Sequence, residues 1–177
     1  MGKILGQRFF KRETIKVAEE LLGSYLVRKQ GRWVEKFLIN EVEVYDGLKD
    51  KASHASRGET GRNGVMFGEA GRFYVYFIYG IHWMLNIVTR ETGYPAAILI
   101  RGIEGHDGPA KLTKALRIDK KFNGVRASEA SGLWFERGTK MPNGKIVRLP
   151  RVGVAYAGPA WSRRKLRFRI DSSPIFR

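Results

Sequence analysis

The sequence predicts an α+β fold: a mostly antiparallel, curved β-sheet with short flanking helices and a protruding β-hairpin, in a single domain spanning residues 1–177. Three observations lead there. Apolar and alternating runs of strand length recur along the chain between turn residues, while helix-period stretches are few and short. Tight turns at Gln30-Gly31 and Tyr79-Gly80 join consecutive strands. No repeat, low-complexity tract or Pro/Ser-rich linker divides the 177 residues, a length that suits one domain.

Residues 14–22 form an amphipathic helix, with Ile15, Ala18 and Leu22 on one stripe and Gly23 as its stop. Residues 25–29 and 32–45 read as strands, the second closed by Asp46-Gly47. A polar loop rich in Gly, Ser and Arg then runs to about Asn63. Residues 73–78 and 81–89 are two strands meeting at Tyr79-Gly80, and residues 96–100 form another. Gly108-Pro109 opens a helix to about Leu116, where the missing N–H of a first-turn proline costs nothing. Residues 133–137, 152–156 and 166–170 complete the strands.

With 43% hydrophobic and 12% aromatic residues the chain can build a core, so its charge does not make it disordered. No cysteine occurs, which excludes disulfides, thiol catalysis and cysteine-ligated metals. His54, His82 and His106 lack metal-ligand spacing. The N-terminus lacks the apolar core of a signal peptide, and Gly6 stands where a myristoylation motif wants Ser or Thr. The apolar stretch 73–88 is too short for a spanning helix, so a soluble, intracellular protein is expected.

The 33 Lys+Arg against 17 Asp+Glu give a net charge of +16, which points to a polyanionic partner. Half of that excess lies in residues 145–177, where nine cations face one acid. Within 165–170 basic and apolar residues alternate, putting the cations on one strand face and Leu166, Phe168 and Ile170 on the core face. A solvated edge strand protected by its charges would show the same pattern.

Period-2 alternation in residues 37–45 places Ile39, Glu41, Glu43 and Tyr45 on one face, with Val42 and Val44 on the other. If that face is partly buried, desolvation and repulsion raise one carboxylate pKa, which suits a general base. The alternative is an exposed face making surface ion pairs. Residues 73–79 carry Phe73, Tyr74, Tyr76, Phe77 and Tyr79, so both strand faces bear rings and one is core. The remaining tyrosines could stack on nucleobases, or one at the hairpin tip could wedge into a duplex.

These residues recur within a longer ordered set: Glu41-Val-Glu-Val-Tyr45, Ala52-Ser-His-Ala55, Arg62-Asn63, Tyr74-Val-Tyr76, Tyr79-Gly80, Leu85-Asn86, Ile100-Arg101, Gly108-Pro-Ala-Lys-Leu112, Arg151-Val-Gly-Val154 and Leu166-Arg-Phe168. The set closely resembles the alkyladenine (3-methyladenine) DNA glycosylase family of animals and many bacteria, from about Leu5 to Pro174. The resemblance implies that Glu43 is the general base activating a water held by Arg101 and the carbonyl of Val152. It implies that Tyr45, His54 and Tyr76 wall the flipped base, that Tyr79 is the intercalating wedge, and that Asn86 is the gate against the guanine amine. Glu41 is read as structural. Arg62, Lys111, Arg163, Arg164 and Lys165 are candidates for the DNA backbone.

The implied protein is a monomeric, monofunctional glycosylase acting on damaged double-stranded DNA. It would release 3-methyladenine or 7-methylguanine, with hypoxanthine and ethenoadenine as further candidates, and leave an abasic site. No metal or organic cofactor is implied. Its place would be the cytoplasm or nucleoid of a prokaryote, or a eukaryotic nucleus. Two departures stand out: a partly helical insertion usual in the family is missing between Ile103 and Gly108, and Ile81 replaces the more usual Met beside the wedge. Rival readings are a non-catalytic RNA-binding module using the aromatic strand and a charge-driven DNA compactor.

Overall fold

A computed structural model describes residues 2–142 and 144–171, so Pro174 and Arg177 of the sequence reading lie outside the described residues. In chain order it contains α1 (Gln7–Phe10), α2 (Thr14–Leu21), β1 (Tyr25–Gln30), β2 (Trp33–Asp46), β3 (Phe73–Ile78), β4 (His82–Val88) and β5 (Ala96–Ile103). There follow β6 (His106–Asp107), α3 (Pro109–Ala115), β7 (Leu133–Glu136), β8 (Ile146–Leu149), α4 (Pro159–Ser162) and β9 (Arg167–Ile170). Short 3-10 turns fill several loops, notably His54–Arg57, Gly64–Phe67 and Ala155–Ala157. Among the described residues no helix is long and apolar enough to cross a membrane.

Among the described residues, nine strands join one open antiparallel sheet of α+β type, its main path running β3-β4-β5-β2-β1-β7. The long strand β2 organises it. Its first half pairs with β1, and its second half lies between β5 and β9. One face of the sheet packs Phe73, Val75, Leu85, Ile87, Ile98, Ile100, Val42, Val44 and Phe168 into the main core. Helix α2 covers that core with Val17, Ala18 and Leu21. Leu22 is buried as the sequence stripe requires, whereas Ile15 is only half-buried at its edge. Leu112 of α3 enters the same core, while Thr113 Oγ donates to the Trp83 carbonyl at 2.9 Å.

The alternate residues on the opposite face form a row across the sheet. Tyr74 pairs with Asn86, Asn86 with Leu99, Leu99 with Glu43, and Glu43 with Arg167. Because side chains alternate strictly along a strand, this register puts all of them on one surface.

Two sequence expectations need correction. Ile39 does not share a face with Glu41: it is fully buried in the main core with Val42 and Val44. The register of β2 against β5 shifts between Ile39 and Val42, and such a bulge reverses the alternation. Residues 152–156 are not a strand. Gly153 takes a φ of +73°, Ala155–Ala157 is a 3-10 turn, and Val152 and Tyr156 stand exposed rather than in the core. An apolar run of strand length thus lines an open site instead of joining the sheet. Strand β8, which pairs with β9, had no counterpart in the sequence reading.

Candidate active site

From Tyr74 to Glu43, the row of side chains floors a cavity of about 350 Å³. Glu43 and Tyr45 come from β2, Leu99 and Arg101 from β5, Asn86 from β4, and Tyr74 and Tyr76 from β3. Its walls are loops: Ala52 and His54 on one side, Met66 on the 3-10 turn, and Val152, Val154 and Tyr156 on the segment before α4. Tyr79 and Pro109 stand on its margin.

Glu43 is fully buried. Its Oε1 accepts the Val152 N–H at 2.8 Å and lies 3.5 Å from Arg101 Nη1, while its Oε2 accepts the Tyr45 hydroxyl at 2.9 Å. Burial raises its pKa above the ordinary carboxylate value, against the pull of Arg101, the Val152 N–H, the Tyr45 hydroxyl and Arg151. Burial likewise pushes the phenol of Tyr45 well above its usual range, so at neutral pH it is a neutral donor to Glu43. Tyr74 is pushed up to about 12 by burial, and Tyr76 is also raised.

His54 and Tyr76 meet edge to face with centroids 4.6 Å apart, and His54 Nδ1 lies 2.9 Å from the Tyr74 hydroxyl. His54 is solvent-exposed at one edge, yet the protein around it and then Arg62 lower its pKa, which keeps the imidazole neutral at pH 7. Its carbonyl accepts from the buried Asn63 at 2.9 Å, fixing the loop. Asn86 is buried and its Nδ2 donates to the Tyr74 carbonyl at 3.1 Å, so its orientation is set by the neighbouring strand.

At the far end of β3, Tyr79 is 85% exposed at the hairpin tip. Tyr79 and Gly80 both have positive φ, +51° and +68°, as in the primed turns that suit twisted hairpins. For tyrosine that conformation is strained. Arg62 braces the hairpin by donating to the Phe77 carbonyl at 3.0 Å, with its guanidinium 5.6 Å from the Tyr76 ring centroid.

The site therefore gathers Glu43, Arg101, Val152, Tyr45, His54, Tyr76, Asn86 and Tyr79. For Val152, the group seen on Glu43 is its N–H. Lys111 lies exposed on α3 two residues beyond Pro109, and Arg163, Arg164 and Lys165 lie exposed between α4 and β9. Among the described residues no group of three or more His, Asp or Glu comes together to hold a metal ion. A larger groove of about 630 Å³, between α2 and residues 137–142 and 144–148, brings none of these residues together.

A family model for methylpurine-DNA glycosylase matches residues 8–107 and 105–174, nearly the whole chain. The chain belongs to the methylpurine-DNA glycosylase family. Similar proteins, provisionally named 3-methyladenine DNA glycosylase, include one from Methanocella arvoryzae, 41% identical over 97% of this chain and 94% of that protein. One from Legionella pneumophila strain Corby is 41% identical over 96% of both chains. One from Sodalis glossinidius is 42% identical over 85% of this chain and 89% of its own. The two stretches of the methylpurine-DNA glycosylase match meet at residues 105–107, where Ile103 pairs directly with His106. The tight turn occupies the place where the sequence reading noted a missing insertion.

The sequence reading missed the pair behind the wall. Arg151 and Asp50 are buried and bonded through both terminal guanidinium nitrogens, at 2.6 and 2.8 Å. Arg151 also donates to the Val44 carbonyl at 2.9 Å and lies over the Tyr45 ring, 4.8 Å from its centroid. Burial works against its charge, but Asp50 outweighs it and raises the pKa. One side chain thus fastens Val152 beside Glu43 and Tyr45 in the wall. With the partners 101 positions apart, no local spacing marks the pair. Tyr156, whose hydroxyl donates to the Ala52 carbonyl at 2.8 Å, was missed likewise.

Proposed function

We propose that this protein is a monofunctional DNA glycosylase that hydrolyses the N-glycosidic bond of alkylated purines in duplex DNA and leaves an abasic site. The observation that carries it is the buried carboxylate of Glu43, beside Arg101 on the floor of a tyrosine-walled cavity, in a methylpurine-DNA glycosylase family member.

The roles follow from placement and chemistry. Tyr79 wedges into the duplex as the damaged nucleotide is extruded, and damaged bases cost least to unstack. Tyr45, His54 and Tyr76 receive the base; neutral phenols and a neutral imidazole do not repel a cationic methylpurine, and aromatic faces attract it. Asn86, held by the Tyr74 carbonyl, excludes the guanine amine. Methylation at N3 or N7 makes the base cationic, so the C1′–N bond breaks with its electrons going to a base that leaves neutral. The oxocarbenium-like sugar is attacked at C1′ by a water held by Arg101 and the Val152 carbonyl, and the water's proton passes to Glu43. No lysine is among the described residues lining the cavity, which favours water over an amine nucleophile. Arg62, Lys111, Arg163, Arg164 and Lys165 meet backbone phosphates.

The test is release of free base from duplexes carrying 3-methyladenine, 7-methylguanine or hypoxanthine, with Glu43→Gln as control. Release by the wild type that depends on Glu43 is expected. RNA preference without release, or lesion-blind binding without turnover, overturns the proposal.

A further inference from the structure

Resting on that reading, we propose that Glu41 is a positioning residue: shared between Arg101 and Arg167, it holds Arg101 in the orientation that faces Glu43 and the cavity. Without the bulge in β2, Glu41 would follow Ile39 into the apolar core; the bulge turns it onto the cavity face instead. There its Oε1 accepts Arg101 Nε at 3.0 Å and Arg167 Nη1 at 3.1 Å. Arg101 therefore has its Nε on Glu41 and its Nη1 3.5 Å from Glu43. A guanidinium is rigid and planar, so two anchors on different nitrogens fix the direction of its remaining donors. Both anchors of Arg101 come from β2, and the three side chains of the Glu41 cluster, carried by β2 and its neighbours β5 and β9, are mostly buried, 14–20% exposed.

The cluster also sets charge. The groups facing Glu43 are Arg101 from β5, Tyr45 from β2, Tyr76 from β3, and the Val152 N–H, Arg151 and Tyr156 from the wall segment. Arg167 of β9 stands opposite Glu43 in register. Glu41 draws on the Arg101 charge that otherwise serves Glu43 alone, and Arg167 offsets Glu41. Removing Glu41 makes ionisation of Glu43 easier; removing Arg167 makes it harder. A residue that only props the sheet would move neither.

The experiment is single-turnover base release from a 3-methyladenine duplex across pH, corrected for spontaneous loss. Wild type, Glu41→Gln and Arg167→Gln are compared, with lesion-DNA Kd and Tm measured alongside. For Glu41→Gln the acid limb should move down by roughly one pH unit. Its plateau should fall roughly tenfold through loosened geometry, with Kd changed less than about twofold. For Arg167→Gln the limb should move up. Limbs that superimpose on the wild type or move together, or an unchanged Glu41→Gln plateau, overturn the role of Glu41 while wild-type release leaves the glycosylase reading intact. Absence of wild-type release overturns that reading itself. If Glu41→Gln fails to fold, Glu41→Asp replaces it, keeping the charge while drawing the carboxylate back from Arg101 Nε: a lowered plateau supports the proposal and an unchanged plateau overturns it.

Discussion

With its carboxylate buried and its pKa raised by burial, Glu43 works against folding whenever it is ionised. A carboxylate with a raised folded-state pKa contributes stability below its unfolded value, and that contribution is lost as pH rises through the folded value. At neutral pH the charge is therefore a net cost to folding. Glu43→Gln keeps an acceptor for the Val152 N–H and a partner for the Tyr45 hydroxyl, so Tm at pH 7 should stay level or rise. Base release should fall by roughly 10²- to 10⁴-fold with lesion binding kept, as calorimetry and single-turnover assays would show. The wild-type rate should decline as pH drops through a value above the ordinary carboxylate range; a profile flat to the unperturbed value would refute the assignment. Period-2 spacing alone set Glu43 apart from Val42 and Val44. It could not choose between Glu43 and Glu41, because the choice depends on Val152, 109 residues away.

Elements joined by short-range patterning were legible, and those held by long-range polar bonds were not. The β3–β4 hairpin was readable because Tyr79-Gly80 interrupts two apolar runs. Residues 152–156 resembled a strand because their composition does not reveal that Arg151 is pinned by Asp50 and that the Val152 N–H serves a side chain. Two predictions belong here. Tyr79→Asn places a residue tolerant of positive φ in the strained turn, so Tm should hold or rise by a few degrees while capture of the flipped base weakens. Fluorescence of a base analogue opposite the lesion would report that loss, and unchanged capture would count against the wedge. Asp50→Asn leaves Arg151 as a buried charge without its counter-ion, which should cost about 3–5 kcal/mol in denaturant unfolding. Base release by the folded fraction should also slow as Val152 and Tyr45 lose their common anchor.

For the whole molecule, a charge of +16 on 177 residues explains attraction to a polyanion but not where the polyanion lies. The geometry separates total charge from placed charge. Glu43 and the turn between β1 and β2 sit near opposite ends of β2, about ten residues or roughly 33 Å apart along the strand. Arg163 and Lys165 lie exposed close to the cavity wall, following Tyr156 and preceding the Arg167–Glu41 pair; Lys29 and Arg32 lie exposed at the distant turn. Replacing either pair by glutamine removes the same net charge. If phosphates are gripped around the cavity, losing Arg163 and Lys165 should reduce the slope of log K against log salt by up to about 1.8, at roughly 0.9 per phosphate contact. Losing Lys29 and Arg32 should leave that slope nearly unchanged, because exposed charges beyond a Debye length of roughly 10 Å at 0.1 M salt are screened from the bound strand. Equal slopes for the two variants in lesion-duplex titrations would mean that the excess charge acts as a diffuse field, and phosphate contacts at Arg163 and Lys165 would have to be abandoned.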